Sequence, residues 1–146
     1  MLNKDEIQKI ADEVVGELKS DFEEKVYQEA FLAELRIRGY EYDREHVIPV
    51  LYKNQQVGVV RADVVVRKDF EEVVLELKVS GDDAVRQRIK NELGTYLRAI
   101  ETSQPARSGV RRAGFVVLFP CTPDMKDAKK AKPPEKATVD EVSVPG

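Results

Sequence analysis

Three polar side chains interrupt otherwise apolar stretches near the middle of the chain. Asp63 lies within Arg61-Ala62-Asp63-Val64-Val65-Val66, and Glu76 and Lys78 lie within Val73-Val74-Leu75-Glu76-Leu77-Lys78-Val79. A carboxylate set among valines is costly unless something compensates it. Two carboxylates side by side are worse, unless a cation or a proton sits between them. A divalent ion resolves that conflict, because Mg²⁺ takes oxygen ligands from one or two carboxylates and fills its octahedron with water and phosphate oxygens. Such an ion polarises a phosphoryl oxygen and lowers the pKa of a bound water. A lysine two residues beyond the second acid, on the same strand face, can orient that water and offset charge developing on the phosphate. The chemistry these residue types support is metal-assisted hydrolysis of a phosphodiester. Glu-x-Lys alone is a weak sign, since about one is expected by chance in a chain this long. On an exposed strand the same pair is ordinarily a surface salt bridge.

Positioning these groups requires two adjacent strands. Side chains alternate across a strand. In 73–79, Val73, Leu75, Leu77 and Val79 share one face, and Val74, Glu76 and Lys78 share the other. In 61–66 the same alternation groups Ala62, Val64 and Val66 against Arg61, Asp63 and Val65. Pairing around a Lys68–Glu71 turn brings Asp63 near Glu76 on a common face. A further strand is expected over Tyr42–Tyr52, with Pro49 marking an edge or a bulge. Asn54-Gln55-Gln56 fits the turn that follows, which makes the three strands an antiparallel meander.

Two helices precede the meander. Ile7, Ile10, Ala11, Val14, Val15 and Leu18 recur at helical spacing, and Asn3 with Glu6 forms a capping box. Ser20 with Glu23 suggests a second box, opening a helix that turns Phe22, Val26, Ala30, Phe31 and Leu35 inward and stops at Gly39. After the meander, Asp82 or Asp83 caps a helix that runs to about Ile100 and buries Val85, Ile89, Leu93, Tyr96 and Leu97. Glu101–Arg112 reads as a flexible loop, and Phe115–Phe119 as a short buried strand. From Asp124 to Gly146 the chain is rich in Lys, Pro and Ala, with no apolar period, and reads as a disordered tail.

The chain of 146 residues fits one domain, placed at 1–123 with the tail at 124–146. No apolar run approaches the ~18 residues that span a bilayer, and the N-terminus lacks the pattern of a signal peptide. One cysteine, Cys121, excludes an internal disulfide framework and a Cys-rich zinc site, and reads as an ordinary thiol. An intracellular protein, cytoplasmic by default, is expected. His46 reads as an exposed or structural histidine. The net charge of −3 does not advertise nucleic-acid binding. Its distribution is uneven, however. Between Val85 and Arg112 there are Arg86, Arg88, Lys90, Arg98, Arg107, Arg111 and Arg112 against Glu92 and Glu101. Arg107, Arg111 and Arg112 could touch a DNA backbone, and a solvated loop is an equally good reading.

The blocks Glu24-Lys25-Val26-Tyr27-Gln28-Glu29-Ala30, Val47-Ile48-Pro49-Val50-Leu51-Tyr52-Lys53, Arg61–Val66, Val74–Lys78 and Thr95-Tyr96-Leu97-Arg98-Ala99 follow one another in order. Together they resemble the GxxExxY family of the PD-(D/E)XK nuclease superfamily, over about Leu18–Phe119. Asp21 stands where that family's leading motif has glycine, and Glu92 where similar proteins tend to have glutamine. The resemblance implies a restriction-endonuclease-like α/β (α+β) core, in the order α-α-β-β-β-α-β, with a central mixed sheet flanked by helices. It implies a Mg²⁺- (or Mn²⁺-) dependent nuclease that hydrolyses DNA through metal-activated water. Asp63, Glu76, Glu24 and the backbone carbonyl of Leu77 would hold the ion, and Lys78 would position or activate the water. Tyr27 and Tyr96, family marks, would pack. The competing reading is a catalytically inactive nuclease-fold module that binds nucleic acid or a protein partner. A homodimer is compatible with either reading.

Overall fold

The structure, a computed structural model, describes residues 2–19, 22–80, 82–120 and 136–143. Helix α1 (Lys4–Leu18) opens as expected, with the Asn3 side chain accepting from the Glu6 amide at 2.9 Å. Glu6 does not complete the capping box, because its carboxylate pairs with Arg38 at 2.7 Å. Helix α2 (Glu24–Ile37) starts after Glu23, whose side chain caps nothing, so the Ser20–Glu23 box is not what opens it. Ser20, Asp21 and Cys121 lie outside the described residues. The inward stripe of α2 also differs from expectation. Tyr27, Phe31, Leu32 and Leu35 are buried, whereas Phe22 and Val26 are exposed. Tyr27 stacks on Phe119 with ring centroids 5.3 Å apart, and its hydroxyl donates to the Lys19 carbonyl at 2.6 Å.

Among the described residues five strands follow, in spatial order β1-β2-β3-β4-β5. They are β1 (Glu41–Tyr52), β2 (Gln55–Lys68), β3 (Glu71–Val79), β4 (Arg111–Phe119) and β5 (Thr138–Val142), with helix α3 (Asp83–Ser103) between β3 and β4. The first three strands form the expected antiparallel meander. α3 then crosses the sheet and returns the chain into β4, parallel to β3, which makes the sheet mixed. This is the helix-flanked α+β architecture expected of a restriction-endonuclease-like core. α1 and α2 cover one face, packing on Val64, Val66, Val73, Leu75, Leu77, Phe115, Val117 and Phe119. α3 covers the other, with Ile89, Leu93, Leu97 and Ile100 against Ile48, Ala62, Val65, Val74, Val116 and Leu118. Gly114 lets α3 approach closely: a Cβ there would stand 2.7 Å from a Leu97 methyl. No described helix is long and apolar enough to cross a membrane.

Three further expectations differ from the structure. The tail reading fails over 136–143, because β5 pairs antiparallel with β4, buries Ala137 and Val139, and is clamped by Asp140 to Arg86 of α3. The remainder of 121–146 lies outside the described residues. The first hairpin turns at Lys53-Asn54 rather than over Asn54–Gln56, and Tyr52 pairs with Gln55. The 101–112 loop contracts to Gln104–Val110, because α3 continues to Ser103 and β4 begins at Arg111.

Candidate active site

The regular alternation expected through β2 breaks at Asp63. Val64 and Val66 pack toward α1 and α2, as their parity demands, but Ala62 packs toward α3 together with Val65. The facing strand inverts at the same level. Tyr42 packs toward α1 and α2 and Arg44 pairs with Glu29 of α2, whereas His46 and Ile48 lie on the α3 side. Between them Glu45 adopts a left-handed φ of 51°. The grouping of Ala62 with Val64 and Val66 is therefore wrong, because both strands turn over between Arg44 and His46 and between Val64 and Ala62.

Where β2 turns over, it also parts from β3 while staying paired with β1. The β2–β3 ladder runs from Lys68↔Glu71 to Val64↔Leu75 and ends there. Beyond it, side chains take over from the ladder. The Asp63 amide donates to Glu76 Oε1 at 3.0 Å, and the Leu77 amide donates to Asp63 Oδ2 at 2.9 Å. α2 satisfies the rest of the opened β3 edge, since the Val79 amide donates to Glu24 Oε2 at 3.0 Å and Gln28 Nε2 donates to the Leu77 carbonyl at 2.8 Å. Buried backbone groups that lose a strand partner must find another. Here three of the partners belong to the candidate acids Asp63, Glu76 and Glu24.

Lys78 stands among those acids. Its Nζ is 3.7 Å from Asp63 Oδ2, 3.9 Å from Glu24 Oε1 and 4.0 Å from Glu76 Oε2. The four residues singled out from sequence therefore meet at one place. The Glu76 side chain is 3% exposed, while that of Glu24 is 40% exposed and marks the open side. Burial, and then the neighbouring Asp63 carboxylate, push the Glu76 carboxyl up to about 8. Burial works against the charge on Lys78, but Asp63, Glu76, Glu24 and Glu92 together hold its ammonium above the ordinary lysine range. Tyr96 of α3 is also raised, by burial and then by the Glu76 and Glu92 carboxylates. α3 thus contributes a phenol and a further acid to the neighbourhood.

Gln28, to which the sequence assigns no role, donates to both the Leu77 carbonyl and, at 3.3 Å, Glu24 Oε1. Its position one helical turn after Glu24, facing the same way, was the available signal. Arg112 departs from expectation. Its side chain is 3% exposed and engages Glu72 at 2.9 Å, Glu101 at 2.7 Å and the Gln104 carbonyl at 2.8 Å. It is a buried structural ion and offers no DNA-facing surface. Arg107 and Arg111 are exposed beside it, away from the acids.

A model of the PD-(D/E)XK nuclease superfamily matches residues 3–109, well over half of the chain. The chain belongs to the PD-(D/E)XK nuclease superfamily. Neither the curated proteins nor the solved structures contain a significant match to it. For this superfamily member, a nuclease-type function that engages nucleic acid follows, and nucleases of the superfamily generally use divalent metals. Among the described residues no three ligating side chains are gathered as a ready-made ion cage. Their chemistry nevertheless fits a hard divalent ion. The side-chain donors are all carboxylate oxygens, three acids share one ammonium, and burial beside Asp63 pushes the Glu76 carboxyl up.

Proposed function

We infer that this superfamily member is a Mg²⁺- or Mn²⁺-dependent nuclease of the GxxExxY type that hydrolyses DNA phosphodiesters. The observation that carries the reading is the convergence of Glu24, Asp63 and Glu76 on Lys78, where β2 and β3 part. Asp63, Glu76 and Glu24 are the residues that would hold the ion, which when bound supplies Lewis acidity toward a phosphoryl oxygen and acidifies water. The Leu77 carbonyl, already engaged by Gln28, keeps a second lone pair for the same purpose. Lys78, beside all three acids, would position or activate the attacking water and meet negative charge developing on the phosphate. Gln28 fixes the Glu24 carboxylate, and the Leu77 amide fixes that of Asp63.

The test is cleavage of single-stranded, double-stranded and branched DNA in Mg²⁺ by wild type, Asp63→Ala and Lys78→Ala. Each substitution is expected to lower the rate by at least about a hundredfold. Undiminished cleavage by both variants would sink the mechanism. Glu92 favours a second reading, a module that binds without cutting, because its charge is felt at Lys78 and Tyr96 and would oppose an anionic phosphate beside them. That reading predicts Mn²⁺ binding that requires Asp63 and Glu76, with no turnover of any of the three DNAs.

A further inference from the structure

The distal half of the β1–β2 hairpin takes no part in the site described above. β3 leaves β2 at Val64, and α3 covers the hairpin only at its base, where Ile48 and Ala62 are sealed. From Tyr52 to Val59 every residue is exposed. The projection is a paired ribbon, with the ladder running out to Tyr52↔Gln55. Lys53 and Asn54 close it with left-handed φ of 48° and 66°, the two-residue turn whose twist matches that of paired strands.

Two features of this arm ask for a ligand. The first is its charge. From His46 to Ala62 the sequence contains no Asp or Glu, although the chain carries 27 of them. The cations here are Lys53 at the tip and Arg61, both exposed, with Arg61 two residues from Asp63. The second is the tip itself. The first central position of such a turn favours Asn, Asp or Gly, and a lysine held at positive φ is strained. The lysine in that position holds its ammonium at the exposed tip, 5.5 Å from the Tyr52 ring centroid.

We propose that this arm is a DNA-docking ribbon that enters the major groove of the duplex to be cut. The proposal rests on the nuclease reading. The major groove admits a two-stranded β-ribbon. Lys53 and Arg61 meet phosphates, while Asn54, Gln55 and Gln56 present amide donors and acceptors to base edges. Arg61 ties the arm to the scissile position, because the strand that carries it continues directly into Asp63. A second copy of the chain is a poorer occupant. The β1 edge is interrupted by Pro49, and two arms without acids would bring like charges together.

The test is fluorescence anisotropy with a labelled DNA duplex and with the matching single strand. Ca²⁺ replaces Mg²⁺, and a sodium chloride series is run for wild type, Lys53→Asn and Lys53→Asn/Arg61→Ala. Lys53→Asn should keep or raise the melting temperature, since asparagine suits the turn, and yet weaken duplex binding. The double variant should bind the duplex about tenfold more weakly, with a log–log salt slope shallower by about 2. Wild-type affinity and slope in the double variant, while wild type still cleaves DNA, would overturn the arm and leave the nuclease reading intact. A wild type that neither binds nor cleaves DNA removes the nuclease reading, and the arm with it. Sedimentation of Tyr52→Ser/Val59→Ser decides the rival occupant: a fall in mass from dimer to monomer makes the arm a self-association surface and refutes the proposal.

Discussion

Glu76 is the residue whose environment most constrains the behaviour of the metal-free protein. Its carboxyl is pushed up to about 8 in the fold, by burial and then by Asp63, against 4.5 as its ordinary value. The unfolded chain therefore releases this proton at lower pH than the folded one. Stability is greatest below about 4.5 as far as this group is concerned, and is lost as pH rises through the interval to about 8. Urea midpoints of the metal-free protein should fall across that interval, and Glu76→Gln should flatten the fall and be the more stable of the two near pH 8. A wild-type profile no steeper than that of the glutamine variant would contradict the burial argument. The candidate acids Asp63 and Glu76 were legible in the sequence because carboxylates among valines demand compensation, and Glu24 only through the family resemblance. Their geometry was not. Parity predicted a shared face through an unbroken ladder, whereas Asp63 and Glu76 meet because each replaces a ladder hydrogen bond with its side chain. Nothing in Arg61–Val66 announces that inversion, and the left-handed Glu45 that accompanies it is an ordinary residue type.

At the scale of elements, the buried ion cluster behind β3 ties the hairpins to α3. Arg112 of β4 holds Glu72 of β3, Glu101 near the end of α3 and the Gln104 carbonyl just beyond it. Glu72 also meets Arg67 at 3.4 Å, Arg67 pairs with Asp43, and His46 shares a 2.8 Å hydrogen bond with Gln104. Removing one member of a buried pair leaves the others as uncompensated charge. Arg112→Ala is therefore expected to destabilise the fold by about 3–5 kcal/mol, read from denaturant unfolding, with a loss far below that at Arg107→Ala. Equal losses at the two positions would refute a structural role specific to Arg112. Helices α1 and α3 and the meander were readable from periodicity and caps. The pairing of Arg112 was not, because its partners lie 11 and 40 residues away in sequence. A run of arginines looks the same whether it faces solvent or acid.

The described residues form one mixed sheet between helices, and its β5 strand comes from a segment that composition assigned to a tail. β5 escapes a sequence reading because it is five residues long, only Val139 among them is buried, and it follows a Lys- and Pro-rich stretch. Its contribution is nonetheless specific. It covers the β4 edge from Gly114 to Leu118 and brings Asp140 to Arg86. A chain ending after Pro123 is expected to expose that apolar edge, melt at lower temperature and self-associate, since an uncovered edge strand templates pairing with other chains. Size-exclusion chromatography and a thermal scan check this, and a monomer with the full-length melting temperature would make 1–123 a self-sufficient domain after all.

The inversion of β1 and β2 at Glu45 and Asp63 bears on how such a site could be transplanted or evolve. A carboxylate pair and a lysine copied onto a flat, regularly paired hairpin would reproduce the letters of the motif and none of its geometry. There the amides of residues 63 and 77 would be satisfied by strand neighbours, leaving the acids without anchors. The recipient backbone would have to roll over at the same level. A deletion of one residue on either strand near that roll would therefore do more than shift a side chain, because the sealed and open faces of the arm would exchange places as the acids came loose.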